Sequence, residues 1–319
     1  MVKITIAGGT SNVAQEIVDA LVATKKHEIL LLSRKGAPAN APQRENVSYA
    51  KVDYTSVGDL TATLAGTHTV LSFIAPFHDQ DEAFEAQKNL IDASIAAGVQ
   101  RLAPSEWVCG DSKTMPWYAY KARTRAYLAS ITKDAPQLQY SCFQPGLFTN
   151  YLAGPHRSAP HLTPIQTPLD FDNRRMLVCE GGLEARMTLT TVQDLARVVV
   201  RAVEYEGLWP HDGGVRGSEM SLGEIAALGE KLRGSMAVEG VPRAALASGT
   251  WTSSWRPKIE HSAFPPDQVE AVSGAFVGGF LLAFDAGDLC VSDAWNRLLP
   301  DFEPQGAEEF LRAAWEGKP

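Results

Sequence analysis

Short, almost wholly apolar runs alternate with segments of helical period along the first half of the chain. No other feature constrains the fold as much. "VKITIAG", "HEILLLSR", "VSYAKVD", "HTVLSFIAP", "VQRLAPSEW" and "LQYSCFQPG" read as strands. Between them, Ser11 to Leu21, "VGDLTATLAG", "DEAFEAQKNLIDASIAAG" and "WYAYKARTRAYLASIT" read as helices, with Val13, Ile17, Val18 and Leu21 on one face of the first. A strand that is apolar throughout is covered on both faces, and intervening helices supply the crossovers of a parallel sheet. The pattern predicts an α/β chain with a Rossmann-like, doubly wound parallel sheet over residues 1–152.

The composition changes after Tyr151. "AGPHRSAPHLTPIQTPLD" reads as a long connection, and "RRMLVCEGGLEARMTLT" as a hairpin about Gly181 and Gly182. Two capped helices follow. One opens on Thr191 and Asp194, the other on Ser221 and Glu224 with Gly234 as its stop. Residues 153–319 are therefore expected to form a smaller, mixed C-terminal substrate domain. The helix near 191–205 is expected to pack back on the Rossmann sheet.

A net charge of -8 argues against a nucleic-acid surface, which usually shows a basic stripe, and disfavours anionic membranes. The four cysteines, Cys109, Cys142, Cys179 and Cys290, form no CxxC pair, and His156 and His161 have no partner at ligand spacing. No metal is expected. "AVSGAFVGGFLLAF" is shorter than a membrane span and reads as a buried helix. "MVKITIAGG" enters a strand with no apolar leader, so the expectation is a cytoplasmic protein, monomeric or homodimeric, acting on a small molecule.

"AGGTSNVA" turns from the first strand into the first helix. Such a turn aims backbone N–H groups, and the positive end of the helix dipole, at whatever lies outside; pyrophosphate suits it. Gly8 and Gly9 make the turn, Thr10 or Ser11 can cap the helix, and Ala14 gives the small residue needed where helix crosses strand. Gly8, Thr10, Ser11, Asn12 and Val13 are the candidate pyrophosphate residues. The second strand ends in Ser33-Arg34-Lys35, where an NAD binder usually places an acid. Arg34 and Lys35 suit the 2′-phosphate of NADPH instead. Asp53 is a candidate for the adenine amino group.

"IAGGTSNVAQEIVDAL", "SRK", "VLSFIAP", "AAGVQRLAPSEW", "YKARTRAYL" and "SCFQPGLFTNYL" occur in the order found in NmrA-like and isoflavone reductase-like proteins, which resemble atypical short-chain dehydrogenases. The chain resembles that family over Val2 to Leu152 and again over "MTLTTVQDLARVVVRAV", and only thinly beyond Gly207. The resemblance implies a parallel sheet of six or seven strands with a small substrate domain. Enzyme members reduce phenylpropanoids, isoflavonoids or related molecules with NADPH; regulatory members bind dinucleotide and partner proteins without catalysis. Ser11 and Ala14 stand where the family loop usually keeps glycine, and the Tyr-x-x-x-Lys signature of short-chain dehydrogenases is absent.

The family carries its lysine in K-x-x-x-R, matched here by Lys121 and Arg125, and Lys121 is the implied catalytic residue. Pro104 to Trp107 match the family's P-S-E-F-G stretch, with Trp107 in place of Phe. The resemblance also sets Ala75 and Pro145 against the adenine and nicotinamide regions. Independently, a lysine on the helix after the fifth strand faces the crevice at the carboxyl ends of the strands, where an ammonium can bond the ribose and protonate a substrate oxygen. Phe77, Trp107, Tyr118, Phe148 and Tyr151 are candidates for an apolar substrate wall, with His78 at its mouth. The resulting expectation is an NADPH-dependent reductase of a small, largely apolar or aromatic substrate. A redox-silent NADP sensor and a non-redox isomerase, cyclase or dehydratase remain open at this point.

Overall fold

The computed structural model describes the chain except for residues 42, 76–78, 111–112, 134–137, 260–268 and 319. The first half runs β1 (Lys3–Ala7), α1 (Asn12–Thr24), β2 (Glu28–Ser33), β3 (Val47–Lys51), α2 (Val57–Thr63), β4 (Thr69–Ser72), α3 (Gln80–Ala96), β5 (Arg101–Ala103), α4 (Ala119–Ile131) and β6 (Gln139–Tyr140). The six strands form one sheet in the order β3-β2-β1-β4-β5-β6, every pair parallel. This is the Rossmann-like sheet that the alternation predicts.

The uniform apolarity of the strands follows from the period of the pleat, which sends successive side chains to opposite faces. Ile4, Ile6, Ile29, Leu31 and Leu71 enter the core on the α1 face. Ala7, Leu30, Leu32, Val70 and Leu102 enter the core beneath α2, α3 and α4. β1 feeds α1 on one face while β4 feeds α3 on the other, so the chain diverges between these neighbouring strands and leaves a crevice at their carboxyl ends.

The second half continues with β7 (Cys142–Gln144), β8 (Leu147–Phe148), β9 (Leu169–Asp170), β10 (Arg175–Cys179), β11 (Arg186–Thr190), α5 (Val192–Glu204), β12 (Asp212–Gly214), β13 (Ser218–Ser221), α6 (Leu222–Arg233), β14 (Ala237–Val241), α7 (Arg243–Ser248), α8 (Val269–Ala286), α9 (Ala294–Leu298) and α10 (Ala307–Trp315). Three small sheets, β14-β10-β9, β13-β11-β8 and β12-β7, flank the large one. Phe171, Met176, Leu189, Ile225, Leu281, Phe284 and Leu311 belong to a third core. The α5 residues Val192, Leu195, Val198, Val199 and Ala202 share a core with Ile17, Val18 and Leu21 of α1.

Four local readings change. "RRMLVCEGGLEARMTLT" is not a hairpin. β10 pairs with β14 and β9, β11 with β13 and β8, and a 3₁₀ turn over Gly182–Glu184 sends the two strands into different sheets. "LQYSCFQPG" breaks after Tyr140 because the chain changes partner, β6 pairing with β5 and β7 with β12. The Thr191 hydroxyl does cap the Asp194 N–H, but the Asp194 carboxylate turns to Gln305 N and Arg197 rather than closing a box. Ser221 and Glu224 form the full reciprocal cap. The run around Ala271 lengthens into α8, whose 18 residues are long and apolar enough by length and composition to cross a membrane. Here Val277, Leu281 and Phe284 face the third core.

Gly146 carries the turn from β7 to β8. Its φ is +71°, its N–H donates to the Val108 carbonyl at 2.7 Å, and a Cβ there would overlap the Thr188 main chain of β11. The left-handed conformation costs an L-residue about 1–2 kcal/mol and the overlap adds to it. Gly146→Ala is expected to lower stability by at least about 2 kcal/mol. Urea unfolding checks this: the midpoint should fall with the slope unchanged, and an unmoved midpoint would contradict the packing described.

Candidate active site

The carboxyl edge of the parallel sheet collects most of the candidate cofactor residues, because each lies just after a strand. Gly8 follows β1, Arg34 and Lys35 follow β2, Asp53 follows β3, Ala75 lies three residues past β4, and Pro145 follows β7. Gly8 has a φ of +71°, and a Cβ there would come within 3.0 Å of the Phe73 carbonyl, so only glycine lets the turn lie this close to β4. Ser11 is the N-cap of α1, but its side chain makes no capping hydrogen bond, and no acid occupies the first turn. The hydroxyl therefore does not compete with a ligand for the N–H groups that every helix leaves unpaired at its start. Ala14 is fully buried. A glycine cradle beside an uncapped, acid-free helix start fits a dinucleotide pyrophosphate.

Other candidates have different surroundings. Thr10 and Val13 lie at the turn, exposed and half-buried respectively. The Asn12 amide donates to Thr163 Oγ1 at 3.0 Å, across to the long connection. Arg34 and Lys35 are exposed, and Arg34 meets Glu82 at 3.4 Å with both side chains in solvent. Such a pair is worth little, so the guanidinium can exchange it for a phosphate. The Asp53 carboxylate accepts from Thr55 N and Oγ1 at 2.9 and 2.8 Å, which holds it below the usual carboxylate range. Sequence reasoning misses Tyr54, whose hydroxyl accepts from Gly8 N at 3.2 Å inside the cradle. Burial pushes this phenol up to about 12.

Lys121 stands in the first turn of α4, and the residue is 4% exposed. Its ammonium donates to the main-chain carbonyl of Glu106 and lies 4.3 Å from the centre of the Tyr118 ring. Burial lowers its proton affinity, while Glu106 opposes that effect. Glu106 is 1% exposed, and its Oε2 accepts from Arg125 Nη1 at 2.7 Å. Burial pushes its carboxyl up, while Lys121 and Arg125 pull it down. The segment holding Glu106 is rigidly placed. Trp107 has φ +49°, its ring stacks between Phe73 and Phe143, and its indole N–H donates to Ser72 O at 2.6 Å. Two glutamines of α3 add to this: Gln87 bonds Ser72 Oγ and Ile74 O, and Gln80 bonds Trp117 O and Tyr120 N.

The expected substrate wall is only partly assembled in one place. Tyr118 lies against Lys121 and packs, with Tyr151, Phe276 and Phe280, on the third core. Phe148 is buried in β8, at an edge-on 5.8 Å from Tyr151. Trp107 belongs to the aromatic stack under the site, both ring faces taken by phenylalanines. Phe77 and His78 lie outside the described residues. His161, read as partnerless, bonds Asp19 at 2.6 Å, and Glu16 accepts from His161 N and Leu162 N, so the proline-rich connection is tied along α1. His156 packs edge-on to Trp315.

The chain is 26% identical over 317 residues to "Oxidoreductase BOA1" of Botryotinia fuckeliana, covering 97% of this chain and 100% of that protein. Among solved structures, a nucleoside-diphosphate-sugar epimerase from Staphylococcus aureus superposes with a TM-score of 0.69 at 17% identity, covering 97% and 99% of the two chains. The Escherichia coli NADPH-dependent quinone oxidoreductase QOR2, complexed with NADPH, superposes with a TM-score of 0.66 at 19% identity, over 97% and 99%. At such identities these structures establish the fold. The NmrA-like family model matches residues 2–311, and the chain belongs to the NmrA-like family.

Proposed function

We propose that this protein is an NADPH-dependent reductase of a small, largely apolar or aromatic molecule, with Lys121 as the proton donor. The observation that carries the proposal is a buried lysine ammonium held by the Glu106 carbonyl just past the carboxyl end of β5, on the same sheet edge as the glycine turn after β1. The name of the fungal relative, an oxidoreductase, and the NADPH held by the quinone oxidoreductase of similar fold agree with it.

The nicotinamide cofactor, when bound, supplies the hydride. The chain's own residues do the rest. The turn from Gly8 to Val13 binds pyrophosphate, with the unpaired main-chain N–H groups at the start of α1 as donors and the Ser11 hydroxyl added to them. Arg34 and Lys35 pair with the 2′-phosphate. Tyr118 and Tyr151 exclude water from one side of Lys121. Lys121 passes one proton to the substrate oxygen on which negative charge develops, becomes a neutral amine, and is reprotonated from solvent. A lysine in water holds its proton too tightly for efficient transfer near neutral pH, and burial shifts Lys121 in the direction that transfer needs.

Two outcomes are expected. First, NADPH binds more tightly than NADH, and Arg34→Ala removes most of that preference. Loss of a charged phosphate contact costs about 1.5–3 kcal/mol, roughly ten- to a hundred-fold. Calorimetric dissociation constants for both cofactors check it, and equal values in the parent protein overturn the assignment. Second, Lys121→Met keeps the apolar stem, so folding and NADPH affinity should change several-fold at most while kcat falls roughly 10²–10⁴-fold. The assay is NADPH absorbance loss against a panel of quinones, enones, aromatic ketones and imines. Turnover above about a tenth of the parent rate removes Lys121 from the chemistry. NADPH binding without turnover of any panel member would favour the regulatory reading.

A further inference from the structure

Lys121 stands with a buried carboxylate, Glu106, and a half-buried guanidinium, Arg125, and the pairing among the three is divided. The Lys121 ammonium bonds the main-chain carbonyl of Glu106, whereas the Glu106 side chain is held by Arg125 at 2.7 Å. Arg125 lies one helical turn beyond Lys121 on α4, so both cations reach the same loop residue from one helix face. The other titratable groups around Lys121 are neutral near pH 7. Burial raises the thiols of Cys109 and Cys142 and the phenols of Tyr118 and Tyr120. Cys109 comes from the same loop as Glu106, Cys142 from β7, and the two tyrosines from the start of α4. Among the described residues, only Glu106 and Arg125 therefore act on the ammonium with full charge.

We propose that Glu106 and Arg125 are positioning residues that tune Lys121 as a proton donor: Arg125 neutralises the buried Glu106 carboxylate, so the ammonium beside it can still release its proton. The inference rests on Lys121 being the donor in the reaction proposed above. Without Arg125, the Glu106 carboxylate would turn its full charge on Lys121, and opposite charges at this range hold a proton more tightly. Without the Glu106 charge, the fixed guanidinium would repel the ammonium and loosen its proton. The main-chain carbonyl keeps Lys121 oriented in either case, because no side-chain substitution removes it.

The test reads Lys121 itself and needs no substrate. In protein labelled with 15N at lysine Nζ, the Lys121 resonance is identified by its loss in Lys121→Met and titrated with pH. Arg125→Gln should raise the midpoint and Glu106→Gln should lower it, each by roughly one to three pH units. Arg125→Lys restores the charge and should return the midpoint close to the parent value. Arg125→Gln leaves a buried charge unpaired and can fail to fold. Glu106→Gln is isosteric and keeps an acceptor for Arg125, so its shift alone decides the matter if Arg125→Gln is lost. Midpoints that stay within about 0.3 units in Glu106→Gln, or that move upward, overturn the proposal. These results are independent of Lys121→Met turnover, so failure here leaves the reductase reading standing, and failure there does not alter the titration.

Discussion

The Trp107 indole is the fixed point of the site. Its ring lies 4.3 Å from Phe73, with an 8° tilt, and 5.5 Å from Phe143, and its N–H reaches Ser72 O at the end of β4. Three strands are thereby joined at their carboxyl ends through one residue. Trp107 adopts φ +49°, a conformation that costs an L-residue about 1–2 kcal/mol and persists only where the surroundings over-determine it. Offset stacking and a buried indole hydrogen bond supply that determination. The consequence falls on the preceding residue: the Glu106 carbonyl is pointed at Lys121 because Trp107 cannot move.

The cofactor side is built by a different constraint. Parallel strands deliver Gly8, Arg34, Asp53 and Ala75 to one edge because every connection returns the chain to the opposite edge. β1 and β4 are neighbours whose helices cover opposite faces, so nothing in the sheet's own wiring fills the space above them. The long connection after Ala153 runs past that space. It is held by Glu16 through His161 N and Leu162 N, by Asp19 through the His161 ring, and by Asn12 through Thr163. These bonds fasten residues 161–163 along the first two turns of α1.

Where sequence sufficed, the physics was local. Apolar strands, a glycine before a helix and a capping box each act within a few residues, so Ile4, Gly8 and Ser221 announce their roles in order along the chain. Lys121 was legible in part because its distance from the preceding strand fixes the sheet edge it faces. What stayed hidden depends on partners far apart in sequence. The strand after Arg175 looks like half of a hairpin, but its edge is taken by β14, more than fifty residues on. Trp107 reads as a loop aromatic until Phe73 and Phe143 close over it. Tyr54 carries no motif, and only the pairing of β1 with β2 and of β2 with β3 brings its hydroxyl to Gly8. Glu106 was visible in the "PSEW" stretch, though its pairing with Arg125 was not.

The charged cluster at Lys121 departs from the apolar filling around it. Ile6, Leu32, Phe143 and Trp295 fill the neighbouring interior with apolar volume at almost no exposure. Placing three charges beside that interior requires desolvation that the ion pair rarely recovers in full; apolar residues of the same volume would often serve stability as well or better. A chain under no demand but folding has no reason to keep such a group. Asp194 and Glu16 are buried too, but each carboxylate there accepts main-chain N–H bonds that tie two segments together, whereas the Glu106 side chain is held by Arg125 and ties down no loop. Here the cluster lies past the carboxyl end of β5, where Lys121 on α4 meets the Glu106 main chain, on the same edge of the sheet to which β1 delivers Gly8. Strand order sets which edge that is, and the charges set which residues stand apart on it.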